Sequence, residues 1–323
     1  MPTVRAMLQA PLAVAYWLGA AGTKAVETGD DVVFLCHGTP RSLATRLALQ
    51  LRYLRRVFSF VPLATLAASV TESAPPGQQR RAAIVFDDGL RSNVAVGYPI
   101  LRALGIPATF FVCPGLIEER KWIWTHEARR RLHFAALPLR SELAAELEAP
   151  GEVEAFVQWM KGLPLPDRAH AEARLRQATP AYIPSESERE AFDLADWDEL
   201  RSLDPAVITV GSHSMTHPIL PRLSDAAIEV ELRNSRRMLE ARLDRTADLF
   251  SYPNDDLDWR TLAVARRYYR AAVAHRAGIP RDPHLLPSTH LPQGVLRLVW
   301  QVNHGTAMGA RSTRGFVGAG TPA

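Results

Sequence analysis

Six short, largely apolar runs recur along the chain, each stopping at a polar or glycine-containing turn. They are residues 32–35 before Cys36-His37-Gly38, 82–86 before Asp87-Asp88-Gly89, 108–112 before Cys113-Pro114-Gly115, 207–210 before Gly211-Ser212-His213, 249–252 before Pro253-Asn254, and 271–274 before His275. Runs this short, bounded by turn formers, fit strands buried on both faces. Residues 92–104, 224–243 and 258–269 carry the mixed apolar and charged spacing of helices. Strands alternating with helices predict parallel βαβ units and a wound or closed parallel sheet. Function in such sheets gathers at the carboxyl ends of strands, which is where this chain puts its histidines and aspartates.

Two regions break the rhythm. Residues 118–190 are charged and helical in pattern, punctuated by Pro150-Gly151 and Pro164-Leu165-Pro166, and read as a helical insertion between the strands at 108–112 and 207–210. Residues 73–81, with Pro75-Pro76-Gly77, read as a surface linker, and 305–323 as a flexible tail. The apolar stretch 7–21 is broken by Gln9, Pro11 and Gly19 and falls short of the ~20 residues a bilayer span requires. It is expected to be an N-terminal helix, residues 1–31, packed on a barrel domain of residues 32–304 and able to make peripheral membrane contact. Read instead as a weak signal peptide, it would imply export.

At 323 residues the chain suits one large α/β barrel domain with appendages. Its 47% hydrophobic and 22% charged residues argue against both disorder and a membrane-embedded protein. The net charge of +4 suggests an anionic partner only until its distribution is seen, because acids and bases alternate along residues 229–245. With no phosphate loop, zinc-finger spacing or RNA-binding signature, nucleic acid is excluded as the expected partner. Cys36 and Cys113 are too few for a disulfide framework and are read as free thiols, in keeping with a cytoplasmic location. Nothing in the sequence indicates an oligomeric state.

The candidate chemistry begins at Asp87-Asp88. Two acids at the end of a buried strand repel each other, at a cost that a cation or a shared proton relieves. A plain Asp-Asp-Gly turn would look the same. His213 and His217, four residues apart, would share one face of a helical turn and could reach one ion, although surface or capping roles fit that spacing equally. Taken together, one carboxylate and two imidazoles make a three-ligand metal site with open positions, and the second carboxylate could serve as a base. Which acid takes which role is not readable from the residues. The same ligand set also suits Fe(II), so hydrolysis and oxidation both stay open.

Phe86-Asp87-Asp88-Gly89, then residues 104–112 (LGIPATFFV), then Gly211-Ser212-His213-Ser214-Met215-Thr216-His217-Pro218 closely resemble the polysaccharide deacetylases of carbohydrate esterase family 4, with the NodB-homology fold. Phe250-Ser251-Tyr252-Pro253-Asn254 looks like that family's third motif, so the similarity runs over about residues 32–292 outside the insertion. The resemblance implies a distorted (β/α) barrel with fewer than eight strands and a divalent metal, zinc or a similar ion. Its activity would be metal-dependent removal of N-acetyl groups from amino sugars of a polysaccharide, oligosaccharide or glycolipid. Position by position, it makes Asp88, His213 and His217 the metal ligands and Asp87 the general base. The backbone N–H of Asn254 becomes an oxyanion donor and His290 the general acid, with His37 or protonated Asp87 as substitutes. Other readings are a glycan-binding module without turnover, or an O-acetyl esterase or other amide hydrolase on the same metal site.

This sequence departs from the family in two places. Asp255 stands where the third motif often closes with glycine, and Ser251 stands where some members carry the arginine that orients the base. His37 is expected to be a strand-end histidine bonded to backbone, with a role behind the ligands as the alternative. Trp122, Trp124 and Trp197 are read as core before sugar-stacking platforms, and Met215 as packing. His126, His133 and His170, all in the insertion, are expected to be solvated.

Overall fold

The computed structural model describes residues 31–69, 80–275 and 282–304, together with Val14. The proposed N-terminal helix, most of the 73–81 linker and the 305–323 tail fall outside the described residues. The apolar runs form parallel strands: β1 (Val32–Cys36), β3 (Arg81–Phe86), β4 (Ala108–Val112), β5 (Ile208–Ser212), β6 (Leu249–Ser251) and β7 (Ala271–Val273). Two short strands were not anticipated, β2 (Ser59–Phe60) and β8 (Ser288–His290). The order is β7-β6-β5-β4-β3-β1-β8, with β2 on the edge of β3. β1 aligns Val32 with Ala82 through Cys36 with Phe86, and its other edge aligns Val33–Leu35 with Ser288–His290.

Leu286 closes the ring. It bridges Val273, and its N–H and carbonyl bond the Ala272 carbonyl (2.9 Å) and the Ala274 N–H (3.0 Å), so the segment leading into β8 joins β7 to β1. The result is a nearly closed barrel of seven parallel strands, with β2 as a short eighth. β5 runs two residues past its expected end because Gly211 and Ser212 still pair with Phe111 and Val112. A side chain at Gly211 would come within 2.6 Å of the Phe111 ring, so glycine lets the two strands stay in register there.

Side chains alternate along each strand. Val33, Leu35, Ala83, Val85, Phe111 and Val273 pack together inside the barrel with Leu63, Leu66 and Ala67 of α2 (Leu63–Ala68). Phe34, Ile84, Phe86 and Phe110 point outward into a second core that includes Leu51 and Leu54 of α1 (Ala44–Val57) and Leu298 and Val299 of the last helix, Val295–His304. Each strand therefore buries both faces, as its continuous hydrophobic run requires.

The predicted helical stretches form. Residues 92–104 become a π turn, Asn93–Gly97, running into α3 (Tyr98–Leu104). Between β4 and β5 lie α4 (Pro114–Glu119), α5 (Trp124–Phe134), α6 (Leu137–Glu146), α7 (Val153–Gly162), α8 (Leu165–Ala178), α9 (Glu186–Phe192) and α10 (Trp197–Arg201). α4 to α8 share their own core, with Leu132, Phe156, Val157, Met160 and Leu175 at its centre, whereas Leu200 of α10 joins the core outside the barrel. Further on, α11 (Asp225–Leu243) and α12 (Trp259–Tyr268) cover β5, β6 and β7.

Candidate active site

Because the strands are parallel, their carboxyl ends meet at one rim, and the rim residues are the last residues of the strands, as at Ser251 and His290, or lie in the loops that follow. After β3 the chain turns through Asp88 (φ 75°) and Gly89 (φ 69°), both left-handed. A side chain on Gly89 would lie 2.9 Å from the Val112 Cβ, so only glycine lets this loop cross so close to β4. The exit of the insertion clamps the loop from behind: the Ala195 N–H donates to the Gly89 carbonyl (2.9 Å) and the Arg91 N–H to the Asp193 carbonyl (2.7 Å). Non-glycine left-handed residues also occur at Ser214, His217, Asn254 and Asp255. That backbone is costly and tends to cluster at functional sites.

His213 follows β5 directly and is held by its N–H to the Val112 carbonyl at 2.9 Å. Its Nδ1 lies 2.8 Å from the Ser251 carbonyl, so Nδ1 carries the proton and Nε2 keeps its lone pair. Nε2 stands 3.7 Å from Asp88 Oδ1. His217 Nε2 reaches the same oxygen at 3.6 Å. The expected helical turn between the two histidines does not form. Ser214 and His217 have φ of 64° and 56°, and the segment is a loop. Glu231 on α11 replaces the helical hydrogen bonds, accepting from the Met215 N–H (2.9 Å), the Thr216 N–H (3.0 Å) and the Thr216 hydroxyl (2.7 Å). The Trp124 indole N–H donates to the His217 carbonyl at 3.0 Å. The rings of His213 and His217 end 4.8 Å apart, inclined at 67°.

Asp88, His213 and His217 each offer a ligand atom within 4.8 Å of the other two, and all three are buried. Donors bound tetrahedrally to one zinc at about 2.0–2.1 Å lie about 3.3–3.4 Å apart, so small side-chain adjustments would close the observed gaps. The charge states fit as well. Burial pushes both imidazoles below their usual pKa, His217 furthest because His213 adds to the effect, and neutral imidazole is the form that ligates. Burial opposes ionisation of Asp88, yet the contact with His126 and the neighbouring His37 and His217 hold it well below the carboxylate range. His217 Nδ1 is buried without a hydrogen-bond partner among the described residues. The donor set therefore suits a divalent cation.

Asp87 is placed differently. Its Oδ2 accepts from the Ser251 hydroxyl at 2.9 Å and lies 4.0 Å from His213 Nε2, while Oδ1 is buried with no hydrogen-bond partner among the described residues. Burial pushes its pKa up to about 7, and Asp88 and Asp255 add to the rise against the lowering effects of His37 and the Ser251 bond. Ser251 thus stands where an arginine would orient the base, and orients it with a neutral donor.

The remaining expected residues line the same cleft. Asn254 and Asp255 sit on the turn Pro253–Asp255 after β6, so the carboxylate that replaces a glycine does face the site. His290 ends β8 between His37 and His275, with ring centroids 5.4 and 4.4 Å away. His37 lines the cleft as well. Trp124 is core, as expected, but also braces the His217 loop. Trp122 and Trp197 bond Asp193 and Glu118 through their indoles.

A second expectation fails, besides the helical turn at His213–His217. His133 and His170 are exposed, but His126 is not a solvated insertion residue, because packing of α5 against the rim brings its Nε2 to 3.4 Å from Asp88 Oδ2. Thr125, Arg129 and Lys161 reach the cleft from the insertion too, and His275 from the end of β7. The one sequence signal for His275 was its place directly after a strand. Nothing in the local pattern marked His126.

Residues 74–273, more than half of the chain, match the family model described as "Polysaccharide deacetylase". No curated protein sequence matches. Among solved structures, the chain is similar to the deacetylase PplD of Streptococcus pyogenes, solved in complex with acetate, with a TM-score of 0.56, 15% identity, and coverage of 85% of this chain and 98% of that one. It is similar to IcaB from Ammonifex degensii at a TM-score of 0.55 and 17% identity, covering 85% and 98%. At such identities the likeness speaks for the barrel fold alone.

Proposed function

Since the chain belongs to the polysaccharide deacetylase family, hydrolases that act on the amide C–N bond of N-acetyl groups, we propose that it removes N-acetyl groups from amino-sugar residues of a polysaccharide, oligosaccharide or glycolipid. One observation carries the reading. Asp88, His213 and His217 converge closely enough that they could hold one cation, while the adjacent Asp87 is left outside the set with Oδ1 unpartnered among the described residues and its pKa raised to about 7. Two nitrogens and one carboxylate oxygen suit zinc as well as Fe(II), and a hydrolytic reaction, which needs no redox change, selects zinc.

A cation held there supplies Lewis acidity to the acetamide carbonyl and acidifies water. Asp87 Oδ1 takes a proton from the attacking water while Ser251 fixes Oδ2, and a base titrating near neutrality is well matched to that task. As water adds to the carbonyl carbon, the backbone N–H of Asn254 donates to the developing oxyanion. His290 gives a proton to the departing sugar amine as the C–N bond breaks, leaving acetate and a free amine. His37 and His275, on either side of the His290 ring, hold it toward the cleft. Asp87 beside the metal set supports turnover over a glycan-binding role. The test is acetate release from N-acetylglucosamine oligomers with and without a chelator. Activity lost on chelation and restored by Zn2+ is expected, whereas glycan binding without acetate release from the metal-loaded protein would defeat the reading.

A further inference from the structure

We propose that His126, on α5 of the insertion, is a positioning residue of the metal centre: it holds the outer oxygen of Asp88 so that the inner oxygen alone faces the cation. The inference rests on the cation reading given above. The two oxygens of Asp88 have different neighbours. Oδ1 faces His213 and His217 at 3.7 and 3.6 Å, whereas Oδ2 faces His126 Nε2 at 3.4 Å. An ionised carboxylate can only accept, so Nε2 carries the proton and donates to Oδ2. His126 lies outside the group of mutually close ligand atoms, which consists of Asp88, His213 and His217.

The ring is itself held in place. It stacks on Phe192 at 4.8 Å and 26°, and Phe192 packs against Trp122 at 5.4 Å. The Trp122 indole donates to the Asp193 carboxylate at 2.7 Å, and the Asp193 carbonyl accepts from the Arg91 N–H, also at 2.7 Å. Arg91 is three residues past Asp88, so the contacts form a closed circuit from the ligand, through the insertion, back to the ligand's own loop. A hydrogen-bonded carboxylate kept in one orientation loses less freedom when it binds metal, and removing such outer partners typically weakens affinity about 10- to 100-fold. On this account the insertion completes the metal site as well as forming one wall of the cleft.

Chelator competition with Zn2+ on the full chain tests this, using His126→Phe, His126→Gln and Asp88→Ala beside the wild type. His126→Phe keeps a ring to stack on Phe192 but has no N–H, and is expected to bind Zn2+ about 10- to 100-fold more weakly. His126→Gln carries an amide N–H to the same oxygen and is expected to stay within about threefold of wild type. Wild-type affinity in His126→Phe, or equal weakening in both variants, overturns the proposal provided Asp88→Ala has lost the metal. Wild-type affinity in Asp88→Ala instead defeats the cation site itself. A Co2+ absorption spectrum that changes shape in His126→Gln would make His126 a ligand, and would also overturn the positioning role.

Discussion

The barrel rim and the helical insertion build opposite walls of one cleft by different means. At the rim, strands buried on both faces fix the backbone, and Asp87, Asp88 and His213 follow within two residues of a strand end. In the insertion, His126, Arg129 and Lys161 come from α5 and α7, whose placement depends on a separate core. The rim is held by ladder hydrogen bonds and a shared hydrophobic interior. The insertion is laced on its surface by ion pairs such as Arg131–Glu127, Arg130–Glu188 and Arg174–Glu146. Chemistry is therefore expected to depend on the rim, with His126 as the insertion's hold on a metal ligand, and substrate handling and acid tolerance on the rest of the insertion.

The largest effect should come from the rim. Asp87→Asn is expected to keep the metal and lower kcat by about 10²- to 10⁴-fold, because it removes the base and leaves the ligands. Near-normal turnover in steady-state assays would remove Asp87 from the mechanism. Next comes His290→Ala, for which kcat should fall about 100-fold with KM little changed. A loss confined to KM would make His290 a sugar contact. Ser251→Ala, which removes the hydroxyl that donates to the base at 2.9 Å, should lower kcat roughly tenfold.

Smaller changes should mark the insertion. Lys161→Ala is expected to raise KM about two- to tenfold while kcat holds, since a cleft-lining charge on the wall opposite the base binds ground state and transition state alike. An equal fall in kcat would place the insertion in the chemistry and blur the division. The last effect concerns acid. Burial opposes the shift at Glu127, but Arg176 and Arg131 hold its pKa down; Arg174 does the same for Glu146 and Arg129 for Glu154. Backbone bonding at Ser185, with Arg130, brings Glu188 to about 2. A folded pKa below the unfolded one means stability that is present above about pH 4.3 and lost as pH falls through the folded value. Hydrogen exchange between pH 5 and about 2 should therefore show amides of α7 and α8 opening before those of β3 to β5. Simultaneous opening would mean that the surface pairs contribute little.

The same division decides what the sequence could reveal. β1, β3, β4 and β7 were legible because burial on both faces leaves an unbroken apolar run, and the residues just past each run mark the rim. β8 was not, since Ser288-Thr289-His290 is short and polar and becomes a strand only by filling the gap between β1 and β7. The loop at His213–His217 misled because a four-residue spacing suggests a helical turn, whereas Glu231, fourteen positions beyond His217, satisfies the backbone in another shape. His126 sits two residues into α5, and its direction follows from how Trp124 and Phe192 pack. Such tertiary packing leaves no periodic trace in the chain.

The central claim is that three side chains brought together from two strand ends hold one cation beside an uncommitted acid. Zinc anomalous diffraction from crystals of the metal-loaded protein tests it most directly. The account predicts a single strong peak about 2.0–2.1 Å from an Asp88 oxygen and from a nitrogen each of His213 and His217, with Asp87 outside the coordination sphere. A peak ligated by Asp87 in place of Asp88, or lying away from the three side chains, would contradict it.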